Sequence, residues 1–215
     1  METKKDFKPI LIWLVFIFLV PSIILSIFIG INSNQEAEYI FDRYLGTALL
    51  ISNFSMFIIL ALMYYKKVIT DFKRLTKKHY KFIFIATFIL LIINITISVI
   101  FYLLNITVGN QERVEALFAN YTFTITISAV IIAPFVEELA FRESIGSLIK
   151  NDKLFILISA LSFGIVHSLG IPIILYGIMG AAWAIIYLKT DRNLSAAILA
   201  HFINNAIAIT LLFLS

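Results

Sequence analysis

Apolar residues in this chain come in long runs that short polar segments separate. The first run, residues 10–31, is about 22 residues long, which is enough for a helix to cross a hydrocarbon core of about 30 Å. Further apolar runs follow at 45–65, 82–104, from 121 to the polar segment that starts at 142, 154–169, 173–188 and 194–214. The run 154–169 is short for a membrane span. The pattern predicts an all-α bundle of about seven transmembrane helices.

The polar segments between the runs differ in charge. Residues 36–42 are acidic and predict a loop, and residues 105–120 and 142–153 predict a polar loop and a polar connection. The segment 66–81 is strongly basic, with Val68, Phe72 and Leu75 spaced as on one helix face. This linker is interpreted either as an interfacial helix on anionic lipid or as a solvated basic loop.

The distribution of basic residues predicts the orientation of the spans. With the N-terminus in the cytoplasm, 15 of the 17 Lys and Arg residues lie in cytoplasmic segments, starting with Lys4. Only Arg43 and Arg113 then lie outside. Cytoplasmic loops of membrane proteins carry an excess of Lys and Arg. The positive-inside rule therefore supports seven spans with a cytoplasmic N-terminus.

Composition restricts the class of protein and its chemistry. Residues of the 215-residue chain are 61% hydrophobic and only 14% charged, which is typical of a multi-pass protein of the cell membrane. The net charge of +4 comes from basic residues at the ends of apolar runs, so the expected partner is the lipid bilayer and no nucleic acid. The absence of cysteine excludes disulfides, thiolate nucleophiles and cysteine-ligated zinc.

Ionisable side chains within the apolar runs are confined to the last four predicted spans. The apolar cores of the first three contain no Asp, Glu, His, Lys or Arg. Polar groups at membrane depth normally face one another or a water-filled cavity, because lipid cannot satisfy them. The candidate functional residues are therefore Glu137, Glu138, Arg142, His167, His201, Asn204 and Asn205.

The two adjacent glutamates have different positions on a helix. Glu138 and Arg142 are spaced i and i+4, so they share one face and can form an ion pair. Glu137 points about 100° away and stays free of that pair. A free carboxylate in an apolar setting is suited to act as a general base.

Each candidate also has a structural interpretation. Glu138 with Arg142 can be a purely structural pair, His167 can be an interhelical hydrogen bond, and one of the two asparagines can join helices. Phe163 is most simply a packing residue. The combination of these residues favours a catalytic over a structural role, because a carboxylate, two imidazoles and a carboxamide on three helices can activate water and stabilise an oxyanion.

Three motifs follow one another on successive spans. They are Glu137-Glu138-x-x-x-Arg142, Phe163-x-x-x-His167 and His201-x-x-x-Asn205. Together they resemble the motifs of the type II CAAX prenyl endopeptidases, the CPBP or Abi family of intramembrane proteases. The resemblance covers roughly residues 121–214. One departure is Glu143, where many members of the family have glycine, and it affects the local turn and the access of substrate.

The resemblance implies a role for each motif residue. Glu137 and His167 would bind and activate a water molecule, with Glu137 as the base. His201 and Asn205 would donate hydrogen bonds to the tetrahedral oxyanion.

The remaining motif residues have supporting roles in the same resemblance. Glu138, paired with Arg142, would position its helix and tune the charge of Glu137. Phe163 would support His167 from the preceding turn.

A mechanism without any cofactor is favoured, and zinc is the alternative. His167, His201 and either Glu137 or Glu138 could provide the three protein ligands of a catalytic zinc site. The sequence has no His-Glu-x-x-His helix, and water activated by a glutamate requires no metal.

The chain contains no internal repeat and no linker that would separate a second domain. We therefore predict one bundle, in which residues 1–120 form a three-span N-terminal region that includes the basic cytoplasmic linker 66–81. Residues 121–214 form the CAAX-protease-like catalytic core.

The resemblance implies an endopeptidase that cleaves a small peptide or a membrane-associated protein near the cytoplasmic side. In bacteria this extends to bacteriocin maturation, self-immunity or signal-peptide processing. Two other classes are alternatives: a non-catalytic membrane protein that confers immunity by binding a peptide, and a proton-coupled transporter. Transporters usually contain repeated halves with interrupted helices, which this sequence lacks.

Overall fold

The computed structural model describes residues 5–214, and for Asp42, Asn120, Ala116 and residues 110–114 it describes the backbone alone. Lys4 and the side chains of Asp42 and Arg113, which enter the charge predictions, lie outside this description. Within residues 5–214 we label seven main helices. They are α1 (Lys8–Ile31), α2 (Ala37–Lys73), α3 (Lys77–Leu103), α4 (Tyr121–Leu148), α5 (Asp152–His167), α6 (Ile173–Lys189) and α7 (Leu194–Leu214).

The prediction of an all-helical membrane bundle is confirmed. In the described part of the chain, five helices are long and apolar enough to cross a membrane, namely α1, α2, α3, α4 and α7. Two helices are shorter, since α5 has 16 residues and α6 has 17. The predicted number of seven spans is thus approximate, and the shortness of the fifth apolar run is reproduced in α5.

The predicted polar loops are much shorter in the structure, which corrects four sequence interpretations. The acidic segment 36–42 enters α2, and the basic linker 66–81 is neither a loop nor a separate interfacial helix. It consists of the end of α2 and the start of α3, joined by the turn at 74–76. At 37 residues, α2 is about 55 Å long, so both of its charged ends extend beyond the hydrocarbon core.

The loop predicted at 105–120 is largely helical as well. A helix runs over Gly109–Ile127 and has non-helical angles at Tyr121, with φ −139° and ψ 43°. The connection predicted at 142–153 is also wrong, because α4 continues to Leu148 and only residues 149–151 separate it from α5. Hydropathy marks the apolar part of a helix and does not report the polar turns that extend it.

Helices α5 and α6 form a closely packed antiparallel hairpin. Its turn is at Gly170, which has a φ of +84° that glycine adopts without strain. A Cβ atom at Gly180 would lie 2.8 Å from the carbonyl oxygen of Ser159, and one at Gly164 would lie 2.9 Å from that of Ile173. Glycine therefore permits the close approach of the two helices, which places the end of α5 against α6.

The end of the bundle where α7 starts is held together by polar contacts. Asp71 of α2 is 3% exposed, and its carboxylate accepts the backbone N–H of Leu194 at 3.1 Å. Asn193 donates to the carbonyl oxygen of Asp71 at 2.7 Å. Arg192 donates to the carbonyl oxygen of Gly146 at 3.0 Å. These contacts fix the start of α7 against α2 and α4.

Candidate active site

Glu138 lies in a fully buried group of three charged or polar side chains. Its carboxylate accepts Nε of Arg142 at 2.8 Å and lies 3.0 Å from Nδ1 of His201. Glu138 and Arg142 are completely inaccessible, so the predicted i, i+4 pair is present and sealed. A charged pair in an apolar interior is stable only when its hydrogen bonds are made, and Glu138 uses both carboxylate oxygens for them.

Glu137 faces a different set of neighbours. Its Oε2 lies 3.7 Å from Nε2 of His167 and 4.0 Å from Nε2 of His201. The side chain of Glu137 is 12% exposed and that of His167 is 18% exposed, so both can be reached by a small molecule. The structure thus brings the predicted carboxylate and both imidazoles together, although α5 and α7 approach from different depths.

Hydrogen bonding fixes the orientation of both imidazoles. Nδ1 of His167 lies 2.9 Å from the carbonyl oxygen of Phe163, so Nδ1 carries the proton and Nε2 has a lone pair. Nδ1 of His201 donates to the carboxylate of Glu138, which likewise leaves Nε2 directed at Glu137. For Nε2 of His201 to donate a hydrogen bond, that ring must carry two protons, and the buried Glu138 carboxylate stabilises such an imidazolium.

Asn205 interacts with an irregular part of α4. The N–H of Ala133 bonds to the carbonyl oxygen of Ser128, and Pro134 has no N–H. The carbonyl oxygen of Ala129 accepts Nδ2 of Asn205 instead, at 2.9 Å. Local π-helical geometry of this kind is frequent at functional sites. Asn205, predicted as an oxyanion donor, therefore uses one of its two amide hydrogens to join α7 to α4.

Asn204 extends this polar contact toward α3. Its Nδ2 donates to Oδ1 of Asn205 at 3.2 Å, and its Oδ1 accepts Nδ2 of Asn94 at 3.5 Å. Asn204 is 4% exposed and joins α7 to α3, so both asparagines form contacts between helices. Asn94 was not among the candidate residues of the sequence analysis.

Aromatic rings support both histidines. Phe163 is 1% exposed and stacks on His167 with a centroid distance of 4.1 Å. Trp183 of α6 stacks on His201 at 3.7 Å, and Tyr176 stacks on His167 at 5.1 Å. Sequence reasoning included Phe163 and missed Trp183 and Tyr176. No spacing signal could identify them, because they reach the histidines from a different helix.

Glu143, the departure named in the sequence analysis, belongs to a group of ion pairs at the end of the bundle where α7 starts. Nζ of Lys67 lies 3.3 Å from Oε2 of Glu143 and 3.4 Å from Oδ2 of Asp71. Asp71 in turn accepts the N–H of Leu194, at the start of the helix that carries His201. Glu143 thus pairs with α2 at this end and stays clear of the histidines.

The arrangement is wider than a zinc site requires. Ligands of a tetrahedral zinc ion at about 2.0 to 2.1 Å lie about 3.4 Å apart, whereas Oε2 of Glu137 is 3.7 and 4.0 Å from the two Nε2 atoms. Among the described residues, no group of three or more His, Asp or Glu has the spacing of a metal site. In this geometry the carboxylate lies slightly too far from the two imidazoles for direct zinc ligation, and zinc stays an alternative to the metal-free mechanism.

The fold and the site define a class of protein: a helical membrane bundle with a buried carboxylate and histidine centre. Residues 119–207 match the family model described as type II CAAX prenyl endopeptidase Rce1-like. The chain belongs to this endopeptidase family and is an integral membrane protein. The assignment of individual catalytic roles, and the division of the chain at residue 120, stay predictions.

Two Lactococcus lactis proteins are similar over most of their length. The UPF0177 protein YaiH, from subsp. lactis strain IL1403, is 31% identical over 195 residues, which cover 89% of this chain and 80% of the relative. The UPF0177 protein in the abiGi 5' region, from subsp. cremoris, is 30% identical over 191 residues, which cover 87% and 79%. No solved structure matches the chain.

Proposed function

We propose that this protein is an intramembrane endopeptidase that hydrolyses a peptide bond with water activated by Glu137 and His167. One observation carries the proposal. Oε2 of Glu137 and Nε2 of His167 are both hydrogen-bond acceptors and lie 3.7 Å apart, too far for a direct bond. A water molecule that donates one hydrogen to each would join them and direct its lone pairs away from both.

Glu137 acts as the general base in this mechanism. It takes a proton from the water as the oxygen attacks the carbonyl carbon of the peptide, and a tetrahedral intermediate forms. The intermediate collapses when the C–N bond breaks, and the proton passes from Glu137 to the departing amine. The products are a new carboxyl terminus and a new amino terminus. A positioned base of this kind contributes typically about 10²- to 10⁴-fold to the rate.

His201 and Asn205 stabilise the oxyanion. Nε2 of His201 becomes a donor when the ring is an imidazolium, a form that Glu138 stabilises from Nδ1 at 3.0 Å. Asn205 has a second amide hydrogen beyond the one that it gives to Ala129. Arg142 keeps Glu138 ionised and oriented through its Nε contact at 2.8 Å.

The mechanism uses no cofactor. The zinc alternative would employ His167, His201 and either Glu137 or Glu138 as ligands. We propose as substrates a small peptide or a membrane-associated protein. In a bacterial cell this activity would serve bacteriocin maturation, self-immunity or signal-peptide processing.

The test is cleavage of a fluorogenic peptide library by the purified protein in nanodiscs. Wild type is compared with Glu137→Ala and His201→Ala, each with and without a strong chelator. Loss of cleavage in both variants, with wild type indifferent to the chelator, supports the glutamate mechanism. If the chelator abolishes cleavage and added zinc restores it, the same residues act as zinc ligands instead.

A negative result is also informative. If wild type cuts no peptide while Glu137→Ala still protects cells against a peptide toxin, the protein acts by binding, and the endopeptidase proposal is wrong. A transporter would instead move protons or peptide across the membrane of a proteoliposome without cleaving the peptide.

A further inference from the structure

A groove of ≈ 690 Å³ lies between α3, α6 and α7, close to the candidate active site. Its lining is mostly apolar, and its polar side chains are Asn94, Ser98, Tyr102, Glu115, Tyr176, Asn204 and Asn205. We propose that this groove opens toward the outer face of the membrane and binds an extended, mostly apolar segment of the peptide substrate. The inference rests on the proposed function and adds the substrate class and the side of access.

The groove occupies the outer halves of its helices. α3 begins at Lys77 on the basic cytoplasmic side, and its groove residues extend from Leu91 to Tyr102. α7 begins beside Arg192, and its groove residues start at Asn204. With basic segments in the cytoplasm, both helices place the groove away from the cytoplasm. This differs from the sequence expectation of cleavage near the cytoplasmic side.

Two contacts connect the inner end of the groove to the active site. Asn204 and Asn205 follow His201 by three and four residues, which is about one helical turn. Tyr176 also lines the groove, and its ring stacks on His167 at 5.1 Å. The histidines themselves do not line the groove, but its inner end lies one helical turn from His201 and against the ring that stacks on His167.

At the opposite end of the bundle, the start of α1 is bound to the end of α4. The N–H of Asp6 donates to Oγ of Ser147 at 3.0 Å, and the N–H of Ile10 donates to Oγ of Ser144 at 3.2 Å. Tyr64 donates to the carboxylate of Asp6 at 2.6 Å. These contacts hold the beginning of α1 over that end of α4.

The polar side chains of the groove favour a peptide over a lipid acyl chain. An extended peptide in an apolar environment has N–H and C=O groups that need partners, whereas an acyl chain has none. Three carboxamides lie along the groove, and Oδ1 of Asn94 is buried and accepts no hydrogen bond from the described residues. A peptide N–H is the donor that this oxygen lacks.

The length of the groove limits the segment that it holds. From Asn205 to Leu212, α7 rises about 10 Å. An extended chain covers about 3.3 Å per residue, so about three residues fit beside α7. The apolar wall, formed in part by Val99, Met179 and Ile209, suits apolar side chains.

The direction of access is tested by thiol labelling, for which the absence of native cysteine is an advantage. Ser98→Cys places a thiol in the groove, and Thr96→Cys places one on the exposed side of the same helix. We expect a membrane-impermeant maleimide to label Ser98→Cys in intact cells and to leave Thr96→Cys and the cytoplasmic Lys78→Cys unlabelled. A peptide that the protein cleaves should protect the Ser98→Cys thiol from labelling when it is bound. Labelling of Ser98→Cys only after permeabilisation, or protection by phospholipid and not by peptide, overturns the proposal.

Occupancy is tested by filling the groove. Ala208 lines it and Thr210, two residues on, does not, so Ala208→Phe and Thr210→Phe form a matched pair. For a long apolar peptide we expect Ala208→Phe to raise KM by about tenfold with little change in kcat, and Thr210→Phe to have no effect. A peptide truncated by three residues should lose this difference.

The two proposals fail in different ways. If wild type cleaves the long peptide and Ala208→Phe has unchanged kinetics, the groove proposal is wrong and the proposed function stands. If wild type cleaves nothing, the proposed function fails, and the labelling of Ser98→Cys alone decides which face the groove opens to.

Discussion

Glu137 and Glu138 are neighbours in sequence, yet their surroundings differ in almost every respect. Glu138 is sealed between Arg142 and His201 and uses both carboxylate oxygens. Glu137 has no contact shorter than 3.7 Å to either histidine and keeps part of its side chain accessible. The comparison teaches that one carboxylate holds the site together while the other is left for chemistry.

The largest effect is expected at Glu137. Glu137→Gln keeps the shape of the side chain and removes its ability to accept a proton, so kcat should fall by about 10²- to 10⁴-fold. The midpoint of thermal unfolding should change little, because this side chain makes no short hydrogen bond with the described residues. Initial rates and unfolding are measured on the same nanodisc preparation. A rate within threefold of wild type, roughly the error of such comparisons, would place the base elsewhere.

Substitutions in the pair of Glu138 and Arg142 should, in contrast, reduce the stability of the fold. Arg142→Met leaves Glu138 buried without its cation, and breaking such a pair costs about 3 to 5 kcal/mol of unfolding free energy. Adding Glu138→Gln removes the uncompensated charge and should recover part of the loss. Chemical or thermal unfolding of the two single variants and the double variant measures this. Strictly additive losses would show that the two side chains do not act as a pair.

Asn205 is expected to affect the rate more than its neighbour does. Loss of an oxyanion donor costs about 10²- to 10³-fold in kcat, which is the result expected for Asn205→Ala. Asn204→Ala is the comparison: its side chain contacts Asn94 and Asn205 and lines the proposed substrate groove, so we expect a change in KM with a smaller loss of kcat. Equal losses of kcat in both variants would indicate that the asparagines act together on helix packing.

The smallest effect is expected at Asp71, far from the histidines. Asp71→Ala removes the carboxylate that accepts the first N–H of α7, and losing such a cap costs about 0.5 to 2 kcal/mol. Asp71→Asn keeps an acceptor oxygen and should retain most of the stability. Unfolding midpoints of the two variants are compared. If Asp71→Asn is as unstable as Asp71→Ala, the ion pairs with Lys67 and Arg74 matter more than the cap.

The sequence predicted correctly the features that depend on the geometry of a single helix. The pairing of Glu138 with Arg142 follows from i, i+4 spacing, and the apolar runs locate the membrane parts of the helices. The prediction failed at helix ends, because α2 and α3 continue through charged turns that hydropathy assigns to a linker.

The pattern of apolar and polar residues did not predict the contacts between helices. The bond from Asn205 to Ala129 depends on π-helical geometry around Pro134, and the stacking of Trp183 on His201 depends on how α6 lies against α7. Neither arrangement leaves a periodic signal in a single sequence. They arise only when the bundle is assembled.

The central claim is that Glu137 activates water and does not bind the substrate. The most direct measurement is equilibrium binding and single-turnover cleavage of one peptide by wild type and Glu137→Gln in nanodiscs. The account predicts that the two proteins bind the peptide with Kd values within about threefold of each other and that only wild type cleaves it. Cleavage by Glu137→Gln at the wild-type rate, or loss of binding together with cleavage, would contradict the account.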